Sequence, residues 1–293
     1  MKYFKRHKIL SVLLMIISLF TYLNYTISLE NMDNKKNKYY INDLYKSKQI
    51  IYNKYLSSEE KKAYNKLLHN IKKRKKSFTV DVSEYENSSS EDTAGYFNTA
   101  VDAITVDHPE LLQLGYISTS SNNTKIKIFI HYSTNNPIFE EINILHIKKI
   151  LKDIKNKTKR MNDKEKIEYI YNWIGNNYKY DDLFTYQAKN QSIYNVFIKK
   201  KAVCAGFSKA SQIIFQTIGI ESMNVLGETS DAHMWNIVKY QGKYYYFDST
   251  VATSLKKSSP YYYNGLKQTE MNDYKVTHQE WYPKIETKNK IYN

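Results

Sequence analysis

Apolar residues recur in two rhythms along this chain of 293 residues. Behind Cys204, the residues Phe207, Ala210, Ile214 and Ile218 repeat at helical spacing, and Gly219 supplies a stop. Further on, HMWNIVKYQGKYYYFDST changes to strand character. Val238, Tyr240 and the run 244–247 are strong strand formers, and Gln241-Gly242 is a two-residue hairpin turn. That turn opposes Tyr240 to Lys243 and Trp235 to Asp248, with His233 on the same face one diagonal step away. A slip of one residue would put His233 and Asp248 on opposite faces.

The same reading organises the rest of the chain. Helices are predicted over residues 41–56 and 59–71, the second with capping-box spacing at Ser57 and Glu60 and a stripe of Ala63, Leu67, Leu68 and Ile71. Residues 78–82 alternate as a strand, and ENSSSEDT is a loop. A helix carrying Tyr96, Phe97, Ala100, Val101 and Ile104 leads to His108-Pro109, and strands near 112–119 and 125–132 form a hairpin. After Pro137, Ile142, Leu145 and Lys149 mark one helix. Ile167, Ile170 and Ile174 mark another, capped by Asn162 with Glu165 three residues on. Trp173 and residues 178–180 close that helix and wall a cleft. The tail, 256–293, carries a last strand. The expected fold class is α+β, with an accessory domain of helices and sheet over residues 41–135 and a second domain over 136–293.

The N-terminus breaks both rhythms. Lys2, Lys5, Arg6 and Lys8 precede an apolar run from Ile9 to Leu23, which as a helix spans roughly 22 Å, short of the ~30 Å hydrocarbon core but suited to a signal sequence. Residues 1–30 therefore read as a signal peptide or signal anchor and 31–40 as a polar tether, so export to a cell surface or membrane is expected. The formal charge of +15 falls to +12 without residues 1–30 (40 basic against 28 acidic residues). A basic exported domain would be drawn to anionic wall polymers or a membrane surface. Nucleic acid is not expected as a partner, because no stacking motif accompanies the charge and the chain reads as exported.

Chemistry concentrates at the single cysteine. A lone thiol reads first as a small buried hydrophobe, but Cys204 starts a helix, where unpaired N–H groups and the helix dipole favour thiolate. One cysteine also gives an exported protein no disulfide framework. His233 and Asp248 on the predicted hairpin complete a set of three. The acid fixes the imidazole tautomer and the other ring nitrogen is free to take a proton from a thiol. No Gly-rich phosphate loop, metal cluster or acidic loop with calcium spacing occurs, so no cofactor or metal is expected.

VCAGFSKA, then Gly219-Ile220, then HMWNIVKYQGKYYYFDST resembles the transglutaminase-like family of papain-type cysteine enzymes. YNWIGNNYKYDD and VDHPELLQLGYIS resemble its bacterial members further upstream. The resemblance implies a papain-like core in which a cysteine-bearing helix packs on an antiparallel sheet bearing His and Asp. Cys204, His233 and Asp248 fall on its catalytic positions. Met234, where Ala is usual, Val251, where many bacterial members carry Trp, and Lys201, where Gly is frequent, depart from the pattern. The implied activity is thiol acyl transfer from a glutamine carboxamide or peptide amide of a protein or wall peptide, forming isopeptide cross-links. Transfer to water, as in a peptidase or amidase, is the alternative, and a non-catalytic surface-binding module is the rival from another class. The oxyanion would meet the Cys204 N–H and a second donor, Tyr180 or Trp235.

Overall fold

The computed structural model describes residues 44–85, 88–111, 114–133, 137–181, 190–254 and 274–285. The first helix, α1 (Ile50–Lys54), is far shorter than the expected 41–56. Residues 44–49 are not helical, and 41–43 lie outside the described residues. A distant carboxylate fixes its start. Asp107 accepts the backbone N–H of Ile51 (3.1 Å) and of Tyr52 (3.0 Å), and Gln49 just before them has φ 47°. The next helices carry reciprocal caps: Ser57 with Glu60 at α2 (Ser58–Lys72), Ser89 with Asp92 at α3 (Ser90–Asp107). The second cap lies inside ENSSSEDT, so half of that predicted loop is the first turn of a helix.

An antiparallel sheet follows, order β1-β3-β2, from β1 (Ser77–Asp81), β2 (Leu114–Ser121) and β3 (Lys125–Tyr132). Two long helices come next, α4 (Pro137–Thr158) and α5 (Asp163–Asn177), the latter started by Asn162 and Glu165 as its spacing predicts. The face of α4 that packs carries Ile147, Leu151 and Ile154; Ile142 and Leu145, which mark the helix in the sequence, are 57% and 62% exposed.

A short parallel pair, β4 (Lys179–Tyr180) with β5 (Lys201–Ala202), leads into α6 (Cys204–Ile218). Then β6 (Ser222–Glu228), β7 (Ala232–Tyr240) and β8 (Lys243–Phe247) form an antiparallel sheet, and α7 (Ser249–Ser254) follows. β9 (Lys275–Val276) adds to its edge, giving the order β8-β7-β6-β9. The fold class is α+β, as expected, with the cysteine-bearing helix packed on the antiparallel sheet that bears His233. In the tail, β9 is the strand among the described residues; 255–273 and 286–293 lie outside them, as do residues 1–40, on which the expected signal segment and tether fall. Among the described residues, no helix is long and apolar enough to cross a membrane.

Two apolar clusters sandwich the second sheet. Alternation along β7 sends Val238 toward a cluster built from α4, α5 and α6, and sends Trp235 and Ile237 into one built from α2, α3 and β1–β3. Burial on both faces explains why MWNIV reads as nearly continuous apolar sequence instead of alternating with charged residues. The α6 helix is likewise buried almost all round, with Phe207, Ile213 and Phe215 fully enclosed.

The VDHPEL motif has a structural role here. Asp107, 5% exposed, organises α1, and His108 Nδ1 bonds Glu110 Oε1 at 2.6 Å in the interior. Asp107→Ala leaves the two N–H groups at the head of α1 without their acceptor. It should cost about 1–3 kcal/mol, read as a lower urea midpoint at unchanged m-value.

Candidate active site

The chain approaches Cys204 in extended form. Val203 caps the helix without a side-chain hydrogen bond, its own N–H donating to the Asn190 carbonyl at 3.0 Å. The N–H groups of Cys204, Ala205 and Gly206 therefore begin a helix and have no acceptor within it. Gly206 is required by space: a Cβ there would meet Ala202 Cβ at 2.9 Å and the Ser192 carbonyl at 3.2 Å. The strand before the cysteine can thus lie flat against the first turn of the helix. Cys204 itself is half-buried, with a free thiol.

The hairpin has the register that its turn predicts, with Tyr240 opposite Lys243 and Asn236 opposite Phe247. Gln241 and Gly242 both have positive φ, 48° and 78°. This carries Asp248 to the face of His233, whose Nε2 bonds Asp248 Oδ2 at 2.7 Å. The other ring nitrogen is left for the thiol. Cys204 lies within hydrogen-bonding and electrostatic reach of the imidazole. The structure thus brings together all three residues singled out in the sequence.

Charge explains how they coexist. Burial pushes the His233 imidazolium down, but hydrogen bonds and attraction from Asp248 and then Cys204 outweigh it and raise the group to about 10. Asp248 is 1% exposed, and burial alone would raise it; bonds from His233, Tyr274 and the Thr250 N–H hold it below the usual carboxylate range instead. Its oxygens are well supplied: Oδ1 accepts the Thr250 N–H at 2.8 Å, and Oδ2 accepts both His233 and the Tyr274 hydroxyl at 2.6 Å.

Two further groups near the site escaped the sequence reading. Lys209, five residues into α6, is 5% exposed and donates to the Gln191 carbonyl at 3.3 Å; burial lowers it to about 8, while attraction to Cys204 raises it. The positive end of α6 thus carries a buried cation as well as a helix dipole. Tyr274 sits just before β9, its ring 5.8 Å from His233 and 4.8 Å from Trp235, both edge to face. A lone Tyr within a polar tail gives no signal that strand pairing would bring it here. Of the expected oxyanion donors, Tyr180 lies on β4 beside Phe207, at a ring distance of 6.5 Å. Trp235 is 1% exposed and stacks beside His233, and its indole N–H has no hydrogen-bond partner among the described residues.

Buried amides hold the helix to the sheet. Asn236 Nδ2 on β7 donates to the Ser208 carbonyl on α6 (3.0 Å) and to Asn224 Oδ1 on β6 (2.9 Å). Ser208 Oγ lies 2.6 Å from the Trp235 carbonyl and 2.9 Å from Asn224 Oδ1, and Gln212 Oε1 accepts the Asn224 N–H at 2.7 Å. Of the departures from the family pattern, Met234 is buried, Val251 is half-buried, and Lys201 pairs with Asp181 at 2.9 Å.

Residues 149–249 match the model of the transglutaminase-like superfamily, a span that holds Cys204, His233 and Asp248. The chain carries a transglutaminase-like domain. Solved structures similar to it include a TGase (16% identity, TM-score 0.35, covering 55% of this chain and 49% of that one). Another is a candidate cysteine protease from Cytophaga hutchinsonii (16%, 0.32, 55% and 70%). A third is the periplasmic domain of TgpA from Pseudomonas aeruginosa bound to ethylmercury (12%, 0.30, 45% and 56%). The chain spans about half the length of that TGase. No curated protein matches it. The superfamily is in general one of cysteine enzymes, either proteases or transglutaminases.

The raised imidazolium of the transglutaminase-like domain has a thermodynamic signature. Because the folded value of His233 lies above the unfolded ~6.5, its stabilisation is complete below about pH 6.5 and is lost as pH rises towards about 10. Lys209, lowered on folding, acts with the opposite sign above about pH 8. The difference in urea stability between the wild type and His233→Gln should therefore shrink steadily from pH 6.5 to 10, with Lys209 common to both proteins.

Proposed function

We propose that this protein is an exported thiol acyltransferase that uses Cys204, His233 and Asp248. The observation that carries the reading is the imidazole of His233 held between the Asp248 carboxylate and the Cys204 thiol at the head of a helix. The imidazole is placed to take the proton of the thiol, and the thiolate is the attacking form.

In the first step, Cys204 Sγ bonds to the carbonyl carbon of a glutamine carboxamide or peptide amide. The carbonyl electron pair moves to oxygen, which the N–H groups at the start of α6 can meet. When the tetrahedral adduct collapses, the C–N bond breaks and His233 gives its proton to the departing nitrogen. Ammonia or an amine leaves, and a thioester remains. In the second step an amine attacks the thioester, His233 takes the amine's proton, and the thiolate departs. With lysine as the amine, the product is an isopeptide. Asp248 stays ionised throughout and balances the imidazolium.

The location and partners belong to the same proposal. The basic, apolar start of the chain would direct export and either be removed or anchor the protein. Residues 41–135 would act as an accessory layer behind the sheet. The net positive charge would hold the domain near anionic wall polymers or lipid headgroups, so its substrates would be surface proteins or wall peptides. Binding of the full chain to isolated wall material should weaken as salt rises through the physiological range; binding insensitive to salt, or none at low salt, would remove the wall as a partner.

The test of activity uses the full chain with a glutamine-containing wall peptide or casein and a labelled primary amine, followed by mass spectrometry. Label incorporation that Cys204→Ala abolishes is the expected result. Cys204-dependent deamidation or cleavage without label would move the acceptor to water and make the protein a hydrolase. Modification undiminished in Cys204→Ala would sink the proposal.

A further inference from the structure

The tail of the described chain returns to the site. β9 pairs with β6 through Gly227 opposite Val276 and Glu228 opposite Lys275, and this short pairing delivers Tyr274 onto Asp248. The approach is very close. A Cβ on Gly227 would meet the Lys275 carbonyl oxygen at 2.1 Å and the Trp235 ring at 2.6 Å, so only glycine leaves β9 room to dock. Three further contacts fix the tail beyond it: His278 Nε2 with Asp102 Oδ2 at 3.1 Å, the Leu226 N–H with the Tyr282 hydroxyl at 3.3 Å, and the buried Trp281.

We propose that Tyr274 is a positioning residue for the acyl-transfer site, sharing Asp248 Oδ2 with His233 through its hydroxyl and covering the imidazole with its ring. This rests on reading Cys204, His233 and Asp248 as the reacting set, and it concerns how tightly the acid grips the base. One carboxylate oxygen serves two donors, the His233 Nε2 at 2.7 Å and the Tyr274 hydroxyl at 2.6 Å. A hydrogen bond to a charged acceptor disperses part of its charge. The tyrosine therefore weakens the hold of Asp248 on the imidazolium while keeping the carboxylate ionised in a dry site. Its ring stands edge-on to His233 and Trp235 and stacks on Tyr246 at 5.9 Å, which keeps water from the shared oxygen.

Among the described residues, the ionisable groups facing this pair come from α6 and β8. Cys204 comes from α6, with the buried Lys209 behind it; Asp248 follows β8; Tyr246 lies on β8 against Tyr274. Tyr274→Phe removes the hydroxyl and keeps the ring. With its charge undivided, Asp248 then holds the imidazolium more tightly.

The test follows the His233 ring by NMR as pH is raised, in the full chain, with His233→Gln identifying the signal among seven histidines. In Tyr274→Phe the His233 midpoint should move upward by about half to one pH unit. Gly227→Ala keeps the tyrosine but drives β9 away, and should shift the midpoint in the same direction. A role in packing alone would lower thermal stability and leave the midpoint in place. A midpoint within about 0.2 unit of wild type, or a downward shift, in whichever of the two variants folds would overturn the proposal. The readout needs no substrate, so it stands apart from the amine-transfer experiment.

Discussion

The site depends on a helix and a sheet being locked in register, and buried amides do the locking. The three residues proposed to react come from two elements. Cys204 rides on α6, while His233 and Asp248 ride on the sheet. Apolar packing is non-directional and would tolerate sliding between them. Asn236, Asn224, Ser208 and Gln212 do not, because each is buried and each loses a hydrogen bond if the helix shifts. Leaving one such polar group unpaired costs roughly 1–3 kcal/mol, so a register error that strands several of them approaches the stability of a whole domain. The Asn of the HMWN motif is thus a fastener between the cysteine helix and the histidine strand.

The electrostatics of the site are built on the same principle. Asp248 is an ionised acid in the interior, and three donors compensate its burial. His233 is made basic by that acid and by the thiol, in spite of its own burial. Lys209 adds a cation inside the protein, held by one backbone carbonyl and drawn to Cys204. Each charge is tolerable because of the next, so these groups behave as one coupled unit.

Much of this was legible in the sequence because it depends on short-range patterns. The period-two run and Gln241-Gly242 specify a hairpin whose register puts His233 and Asp248 together. The caps at Ser57 and Asn162 fix helix starts for the same reason. What escaped depends on distant partners. The start of α1 is set by Asp107, more than fifty residues away, so local propensity overextends it. Ile142 and Leu145 show helical spacing, yet the face that is covered is set by where α5 and α6 lie. ENSSSEDT reads as a loop by composition, although its serine and aspartate are a cap. Tyr274 carries no pattern at all; it matters because a two-residue strand docks at Gly227. The family match covers Cys204, His233 and Asp248, whereas Tyr274, which bonds Asp248, lies outside residues 149–249.

One feature bears on how the protein comes into being. Gln212 and Gln216 of α6 bond to Tyr45 and Lys46, from the start of the described chain, and β9 closes the site from near its end. Contacts this remote in sequence form late, since the entropy of closing such long loops must be overcome first. During synthesis the cysteine emerges before the histidine, the aspartate and the tyrosine have been made. On the proposed reading, the thiol leaves the ribosome as an ordinary side chain and meets its partners only when segments on both sides of it in the sequence have folded back onto α6 and β6. Maturation of the proposed nucleophile would then be a folding event, timed by the docking of β9 rather than by the synthesis of the cysteine.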